Sequence, residues 1–537
     1  MRTSTRLSLA IALAALALPM GAAAQDLPAS HFETSDRCIA CHNGVTSATG
    51  EDVSIGPAWR ASMMANSARD PYWQASVRRE TKDHPQHAAE IENECAACHM
   101  PMARYDAVSA GGTGGVFRNL PASHAESDEA RLAVDGVSCA VCHRMTDERF
   151  GTRQSANANF VIQEPAPGEP RKVFGPFEIK TGRASVMRSS STLLPTEGKH
   201  VQRSELCATC HTLITTALGP DGSVVGELPE QMVYWEWEHS TYRTTKSCQD
   251  CHMPVVPGET RVSSVLGEQR TEVSRHTFVG ANFLIPRMLS AHRTELGVKA
   301  QPGELDAAIR RAEAHLAEET ATVAVEARRD GDTLVADVAI ENLAGHKFPT
   351  AYPSRRAWLH VTASDANGRV VFESGRPNGD GSIAGNDNDA DAATFEPHYR
   401  EIRDAGQVQI YEAILRDPAG AVTTGLIKAV GYLKDNRILP HGFDKTTASA
   451  DVAVHGDALD DGNFSDGADH VRYVIPAGDA SGAVTVKVTL MYQPIAYRWA
   501  QNLRQQDGEE IDRFLGYYQQ MAHVSSAIVA SASAVVR

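Results

Sequence analysis

The sequence has few basic residues, few aromatic side chains and no long apolar run beyond its first two dozen residues. Its 537 residues carry 51 Lys and Arg against 67 Asp and Glu, a formal net charge of −16, and only 6% are aromatic. Nucleic-acid binding needs a basic face that displaces counterions from phosphates, so this balance argues against it. No later segment approaches the roughly 20 apolar residues that span a bilayer. We therefore expect two or more domains, no nucleic-acid partner and no transmembrane segment.

The first 24 residues have the pattern of a secretory signal peptide. Two arginines lie within Met1–Arg6, an apolar run of 14 residues without charge follows from Leu7 to Met20, and three alanines precede Gln25. The alternative is a membrane anchor, for which this run is short. We predict cleavage after residue 24, so the mature protein is expected in the periplasm or outside the cell.

All ten cysteines belong to Cys-x-x-Cys pairs, and each pair is followed directly by histidine. This pentapeptide is the attachment signal for c-type haem, in which two thiols form thioethers with the porphyrin and the histidine ligates the iron. Zinc sites and disulfides are the alternatives, but neither requires the histidine. The sequence predicts five covalently attached haems c, whose attachment and iron-binding residues are Cys38, Cys41 and His42; Cys95, Cys98 and His99; Cys139, Cys142 and His143; Cys207, Cys210 and His211; and Cys248, Cys251 and His252.

The motifs divide the chain, since all five lie between residues 38 and 252. Residues 25–300 are predicted to form a pentahaem cytochrome c domain of helices and irregular chain, with short helices around Pro57 to Arg79 and leading into each attachment site. Residues 301–320 contain a helical pattern from Glu304 to Glu319 and are predicted to be a linker helix.

Beyond the linker, apolar and polar residues alternate around turn signals, which is typical of antiparallel strands. Such patterns occur in Ala321–Ile340, Ala357–Ser374 and Ala483–Tyr492. Residues 321–500 are therefore predicted to form a β-rich domain resembling an antiparallel β-sandwich. Residues 501–537 are predicted to be a C-terminal helix, because Ile511–Val536 is amphipathic and rich in alanine. The expected fold class is α + β and multidomain.

The sixth ligand of each iron separates an electron carrier from an enzyme, because an open face admits small molecules. Sixteen histidines remain outside the motifs, more than enough to cap every iron. Four of them precede a motif by a short loop, namely His31, His84, His124 and His200, while His276 follows the last motif. Met63 or Met64 could instead supply a thioether, and His239 is a further candidate. For each of these residues an ordinary structural role is the alternative.

His346 lies just after a predicted strand of the second domain, between glycine and proline-containing segments. Inserted onto a haem, it would couple the two domains; the alternative is a structural turn.

Several segments resemble a family of exported multihaem c-type cytochromes, related to the acceptor of electrons from hydroxylamine oxidoreductase. They are Trp59–Pro71, Asp135–Val137, Ser204–Leu206, Glu230–Trp237, Cys248–Pro254, His276–Asn282, Gly345–Thr350 and Lys434–Pro440. The resemblance implies haems with histidine on both faces, with His200 and His276 as the first distal ligands and His84 and His124 next. Many relatives have histidine where Met64 stands.

These observations predict an exported cytochrome that passes single electrons between redox partners of a respiratory chain. Its acidic surface predicts partners that are basic where they dock. The alternative is a reductase or oxidase of a small nitrogen or sulfur oxyanion at one open haem. A third interpretation gives the β-rich domain the task of docking to an outer-membrane or cell-surface assembly.

Overall fold

The computed structural model describes residues 30–478 and 480–537. The predicted signal peptide lies outside the described residues. Across the described part, helices and sheets are mixed, in agreement with the predicted α + β class. No helix in this part combines the length and the hydropathy that crossing a bilayer requires.

Helices dominate the first 320 residues, and several begin at side-chain caps. The carboxylate of Asp70, for example, accepts hydrogen bonds from the backbone N–H groups of Tyr72 and Trp73, which satisfies donors that a helix start leaves free. In chain order, helices α1 to α16 span Asp36–Ile39, Ile55–Arg60, Pro71–Asp83, Ala88–His99, Pro101–Ser109, Asp128–Val134, Cys139–Arg144, Thr181–Ser191, Ser204–Ala208, Val233–Glu238, Cys248–His252, Leu284–Ala291, Pro302–Glu319, Asp387–Ala390, Tyr497–Asn502 and Glu509–Met521.

Most of the strands follow residue 320. In chain order, strands β1 to β17 span Lys172–Gly175, Leu194–Glu197, Leu213–Leu218, Val224–Gln231, Thr260–Arg261, Gln269–Arg270, Ala321–Asp330, Thr333–Asn342, Arg356–Ser364, Val370–Ser374, Glu401–Ile402, Ile410–Arg416, Val422–Thr423, Gly431–Asp435, Ala468–Pro476, Val484–Gln493 and Ala527–Val536. The first six form three two-stranded sheets within the predicted haem domain.

The second domain contains two sheets. One has the order β13-β12-β9-β16-β17, with β10 also paired to β9 and β14 to β12, and the other has the order β11-β15-β8-β7. The pairs are antiparallel except for the short β11–β15 pair. Buried residues alternate along much of β8 and β16, as expected where one face of a sheet packs on a core.

The predicted strands and the linker helix are confirmed. Both hairpins form, with Asp330 paired to Thr333 in β7–β8 and Val370 paired to Ser364 in β9–β10. The helix α13 begins at Pro302 and ends at Glu319.

The prediction of one C-terminal helix to the end of the chain was wrong. The C-terminal helix ends at Met521, and Ala527–Val536 is a strand that pairs with β16 along its length. The sheet that contains β16 therefore includes residues past 500, up to Val536. The short helices predicted around Pro57 to Arg79 are present, since α2 ends at Arg60 and α3 begins at Pro71.

The two parts of the chain pack closely on each other. The ring of Tyr72 in α3 lies 5.0 Å from that of Phe514 in α16, and Arg78 Nε lies 2.8 Å from Glu510 Oε2. Buried apolar residues of both parts belong to one continuous hydrophobic core. The C-terminal region thus supports the wall of the region that carries the motifs.

Candidate haem-binding site

All five attachment motifs line one cavity of about 1400 Å³. All ten cysteines and the histidine of every motif line it, together with mostly apolar side chains. The ten cysteines are free thiols, so the predicted alternative of disulfides within the pairs does not form. Free thiols and histidines around a large apolar space are what covalently attached porphyrins require. The residues therefore fit haem c at all five motifs.

Local helical structure explains the spacing within the motifs. Three of the motifs lie at the end of or within the helices α4, α7 and α11, and two lie where the short helices α1 and α9 end. In a helical turn, residues three positions apart share one face. Each pair of thiols is thereby directed to the same side of the chain, with the histidine directly after the second thiol.

Four motif histidines are oriented by their backbone contacts. Their Nδ1 atoms lie within hydrogen-bonding distance of backbone carbonyls, at 2.7 Å from Val262 O for His42, 2.9 Å from Ser67 O for His99, 2.6 Å from Phe174 O for His143 and 2.5 Å from Val279 O for His252. A carbonyl only accepts, so Nδ1 carries the proton and Nε2 keeps its lone pair. This is the arrangement that holds a metal-ligating imidazole in place.

Burial keeps the imidazoles of His99, His143 and His252 neutral. It lowers the pKa of His99 and the pKa of His252 to about 4 each, and it also lowers the pKa of His143. Neutral imidazole is the form that ligates a metal. Trp73 covers one face of His99, with ring centres 4.3 Å apart and planes within 2° of parallel.

Two motif histidines face a second histidine across the cavity. The ring centres of His143 and His276 are 6.2 Å apart, and those of His252 and His346 are 6.3 Å apart, with planes within 16° and 8° of parallel. Two imidazoles on opposite sides of one metal, each at a metal–nitrogen distance of about 2 Å, place their ring centres about 6 Å apart. Both spacings fit a metal between the rings.

His276 and His346 also direct Nδ1 towards backbone carbonyls, at 3.1 Å from Ser274 O and 2.9 Å from Lys347 O. Their Nε2 atoms thus keep lone pairs, as in the motif histidines. His346 comes from the loop after β8, so the second domain contributes a side chain to the cavity.

His315 lines the same cavity, and the sequence interpretation missed it. Its ring centre lies 6.0 Å from that of His252, and its Nδ1 lies 3.4 Å from Glu319 Oε2. A signal was available, because His315 directly precedes Leu316 and lies three positions after Ala312, two of the buried residues of α13.

The other predicted distal ligands lie apart from the cavity wall. His200 lies nearest, with its ring 4.8 Å from that of Phe174, a wall residue, although its Nε2 contacts Met145 O at 2.9 Å. His84 is half-buried and His124 is exposed. The roles predicted for these three remain predictions.

His31 and His239 have protein partners. Asp106 lies 2.6 Å from His31 Nδ1 and Glu164 lies 3.2 Å from its Nε2, while His239 Nδ1 lies 2.7 Å from Trp235 O. Neither histidine lines the cavity, whereas Met63 and Met64 both do.

The thiols of different motifs are neighbours. Three pairs lie within hydrogen-bonding reach, namely Cys38 with Cys139, Cys98 with Cys210, and Cys207 with Cys248. The charge of Cys210 also acts on Cys142. The fourth motif, at residues 207–211, therefore adjoins three others, and the five attachment points form one connected group.

A second group of candidate ligands lies in the β-rich domain. Among the described residues, His398, Asp461 and Asp469 are the group of three whose ligand atoms lie within 4.8 Å of one another. However, His398 Nδ1 accepts from the amides of Gln409 and Asn436 at 3.0 and 3.1 Å. The proton must then be on Nε2, which faces the two carboxylates, so this histidine has no lone pair for a metal.

The comparisons with known proteins give one structural likeness. No family model and no curated protein matches the sequence. The chain is similar to the crystal structure of a penta-heme cytochrome c552 from Thermochromatium tepidum, at 15% identity and a TM-score of 0.49, with 94% of this chain and 98% of that chain covered. At this sequence identity and TM-score the likeness does not support a functional assignment, which must come from the cavity and its side chains.

Proposed function

We propose that this protein is a pentahaem c-type cytochrome that transfers single electrons between redox partners. The observation that carries the proposal is the single cavity lined by all ten thiols and all five motif histidines. A haem iron, when bound, takes up and releases one electron. The remaining task of the chain is to hold five such groups close together and shielded from water.

The described residues are suited to that task. The thiols anchor each ring, and the backbone carbonyls of Val262, Ser67, Phe174 and Val279 fix the orientation of four imidazoles. Contacts between thiols of different motifs keep the attached rings adjacent. The apolar side chains around the cavity lower the local dielectric constant. The solvation of the haems should therefore change little when an electron arrives or leaves.

We assign His276 as the distal ligand opposite His143 and His346 as the distal ligand opposite His252, from their facing rings. His315 lies close to His252, and His200 acts electrostatically on His143; both of these motif histidines already have a facing partner, so neither His315 nor His200 is assigned to an iron. Histidine on both faces gives low-potential, six-coordinate iron that is suited to electron transfer.

We also propose, from the sequence, that the protein is exported and belongs among the multihaem cytochromes related to the acceptor of electrons from hydroxylamine oxidoreductase. Partners with basic docking surfaces, and attachment of the β-rich domain to an outer-membrane or cell-surface assembly, are part of this proposal. The acidic composition supports the first of these.

The test is a redox titration of purified holoprotein followed by optical spectroscopy. An electron carrier is expected to take up five electrons reversibly and to pass them to a second cytochrome. Uptake of fewer electrons in a protein that holds five haems would contradict the proposal.

Catalysis at one haem is the second candidate function, and the surroundings of His99 favour it. Each of the other four motif histidines has a histidine from outside the motifs within electrostatic range. For His99, the described residues provide no such neighbour, and its ring contact is with Trp73. This haem is thus the one at which the second axial position would be open to a small molecule.

A further inference from the structure

Polar side chains form a compact pocket in the cavity wall near the second motif. Tyr72, Glu80, Glu230 and Tyr352 all line the cavity that also contains Cys95 and His99. The charges of Glu80 and Glu230 act on the thiol of Cys95, so both carboxyls lie near the point at which this ring attaches. These four residues are called the tyrosine–glutamate pocket below.

Hydrogen bonds and ring contacts hold the pocket together. The rings of Tyr72 and Tyr352 meet edge to face with centres 5.8 Å apart, and both hydroxyls lie within reach of Ser76. Glu80 accepts from the backbone N–H of Leu426 at 2.8 Å. Tyr72 and Glu80 lie in α3, Glu230 lies in β4 and Tyr352 lies in the loop before β9, so the pocket is assembled by the tertiary structure.

The two carboxyls differ in how their charge is compensated. Glu80 has the guanidinium of Arg79 and two backbone N–H donors near it. Glu230 is 4% exposed and receives a hydrogen bond from Thr215 at 2.6 Å and one from the amide of Gln231 at 3.2 Å. Among the described residues, no basic side chain forms an ion pair with Glu230.

This environment determines which molecules the pocket can accept. Burial raises the pKa of Glu230 to about 7, and the nearby charge of Glu80 adds to the rise. An anion brought next to these carboxyls would meet like charge in a region of low dielectric, which is costly. The two phenols and the partly protonated carboxyl can instead exchange hydrogen bonds with a neutral molecule.

We propose that the tyrosine–glutamate pocket binds a small neutral hydrogen-bonding molecule in preference to an anion, at the haem held by Cys95, Cys98 and His99. The inference rests on the proposed function, because it requires that haem to be present. It differs from the oxyanion substrate that the sequence alone suggested as an alternative. Glu230 determines the preference against anions, and the tyrosines supply hydrogen bonds to the bound molecule.

The test compares two small probes with ferric holoprotein, nitric oxide, which binds as a neutral molecule, and azide, which is an anion at pH 7. Binding is followed by the optical change and by loss of the high-spin signal in electron paramagnetic resonance. About one haem in five is expected to bind nitric oxide, with azide at least about tenfold weaker.

Substitutions locate the site. Glu230→Gln is expected to improve azide binding about tenfold and to change nitric oxide binding little, because it removes the charge and keeps the shape. Tyr352→Phe is expected to weaken binding of nitric oxide several-fold through loss of a hydrogen bond. Glu90→Gln, an exposed glutamate in α4, is the matched control and should change neither.

Several outcomes would overturn the inference. These are binding of neither probe, azide bound as tightly as nitric oxide, or affinities that respond equally to Glu90→Gln and Glu230→Gln. Should Glu230→Gln fail to fold, Tyr352→Phe decides, since it is expected to weaken nitric oxide binding several-fold, and an unchanged affinity would overturn the inference. A protein with five haems that binds neither probe refutes only this inference, whereas a protein with fewer than five haems refutes the proposed function.

Discussion

The imidazoles of His143 and His276 face each other with ring centres 6.2 Å apart and planes within 16° of parallel. His143 is the last residue of the third attachment motif, and His276 lies 133 positions further along the chain. Such a spacing matches two axial ligands of one iron and gives the distal assignment its most direct geometric support.

Removal of His276 should open one iron. His276→Gly is expected to convert about one haem in five from low spin to high spin, because the pair to His143 loses its second nitrogen ligand. Electron paramagnetic resonance of the oxidised protein measures the fraction, and added imidazole should restore low spin. His523→Gly, at an exposed histidine that is not a candidate ligand, is the control. If the control produced the high-spin haem and His276→Gly did not, the ligand assignment would be wrong.

A buried ion pair holds the loop that carries His346. Lys347 Nζ lies 2.7 Å from Asp435 Oδ2, and both side chains are almost fully buried. Lys347→Met should lower the free energy of unfolding by about 3 kcal/mol, since it leaves a buried carboxylate short of one partner. Thermal unfolding followed by circular dichroism tests this. Arg328→Met breaks an exposed pair with Asp337 and should cost less than about 1 kcal/mol; equal losses in both variants would contradict the prediction.

The carboxylate of Asp435 should make the free energy of unfolding depend on pH. The charges of Arg437 and Lys347 hold the pKa of Asp435 well below its usual range despite burial. A lowered folded-state pKa contributes stability that is fully present above about pH 4 and is lost as the pH falls below it. The difference in melting temperature between wild type and Asp435→Asn should therefore be largest above pH 4 and should shrink towards pH 2. A difference that grows on acidification would refute this.

Association with basic electron-transfer partners should weaken as salt rises. The chain carries a net charge of −16, and long-range attraction accelerates encounter only within the screening length. The second-order rate of reduction by a small basic cytochrome is expected to fall about tenfold between about 10 mM and about 150 mM salt. Stopped-flow absorbance measures this rate. An unchanged rate would mean that charge does not guide docking.

The sequence was most informative where a pattern is local. The hairpins β7–β8 and β9–β10 and the helix Pro302–Glu319 follow from alternation, turn residues and capping, all of which depend on neighbouring residues. The attachment motifs are equally local, because the chemistry of each haem is contained in five consecutive residues.

The C-terminal strand was missed because its composition is ambiguous. Ala527–Val536 is rich in alanine, which favours helix in isolation, but it also alternates with period two. In the folded chain this segment pairs with β16 and forms a strand. Such tertiary pairing overrides the helix propensity of alanine.

Distal ligands could not be assigned from spacing along the chain. His315 and His346 reach the cavity only because α13 and the loop after β8 pack against the motif region. The tyrosine–glutamate pocket was missed for the same reason, as its residues come from α3, β4 and the loop before β9. The proposals therefore require haems to be bound in the cavity at the predicted motifs.

The most direct test is the intact mass of the mature protein, measured after extraction with acid acetone. Five covalently attached haems are expected, so the mass should exceed that of the processed chain by five haem groups and the colour should remain with the protein. Replacement of Cys38 and Cys41 by alanine should reduce the number to four. A mass equal to that of the bare chain, or colour removed by the solvent, would contradict the account.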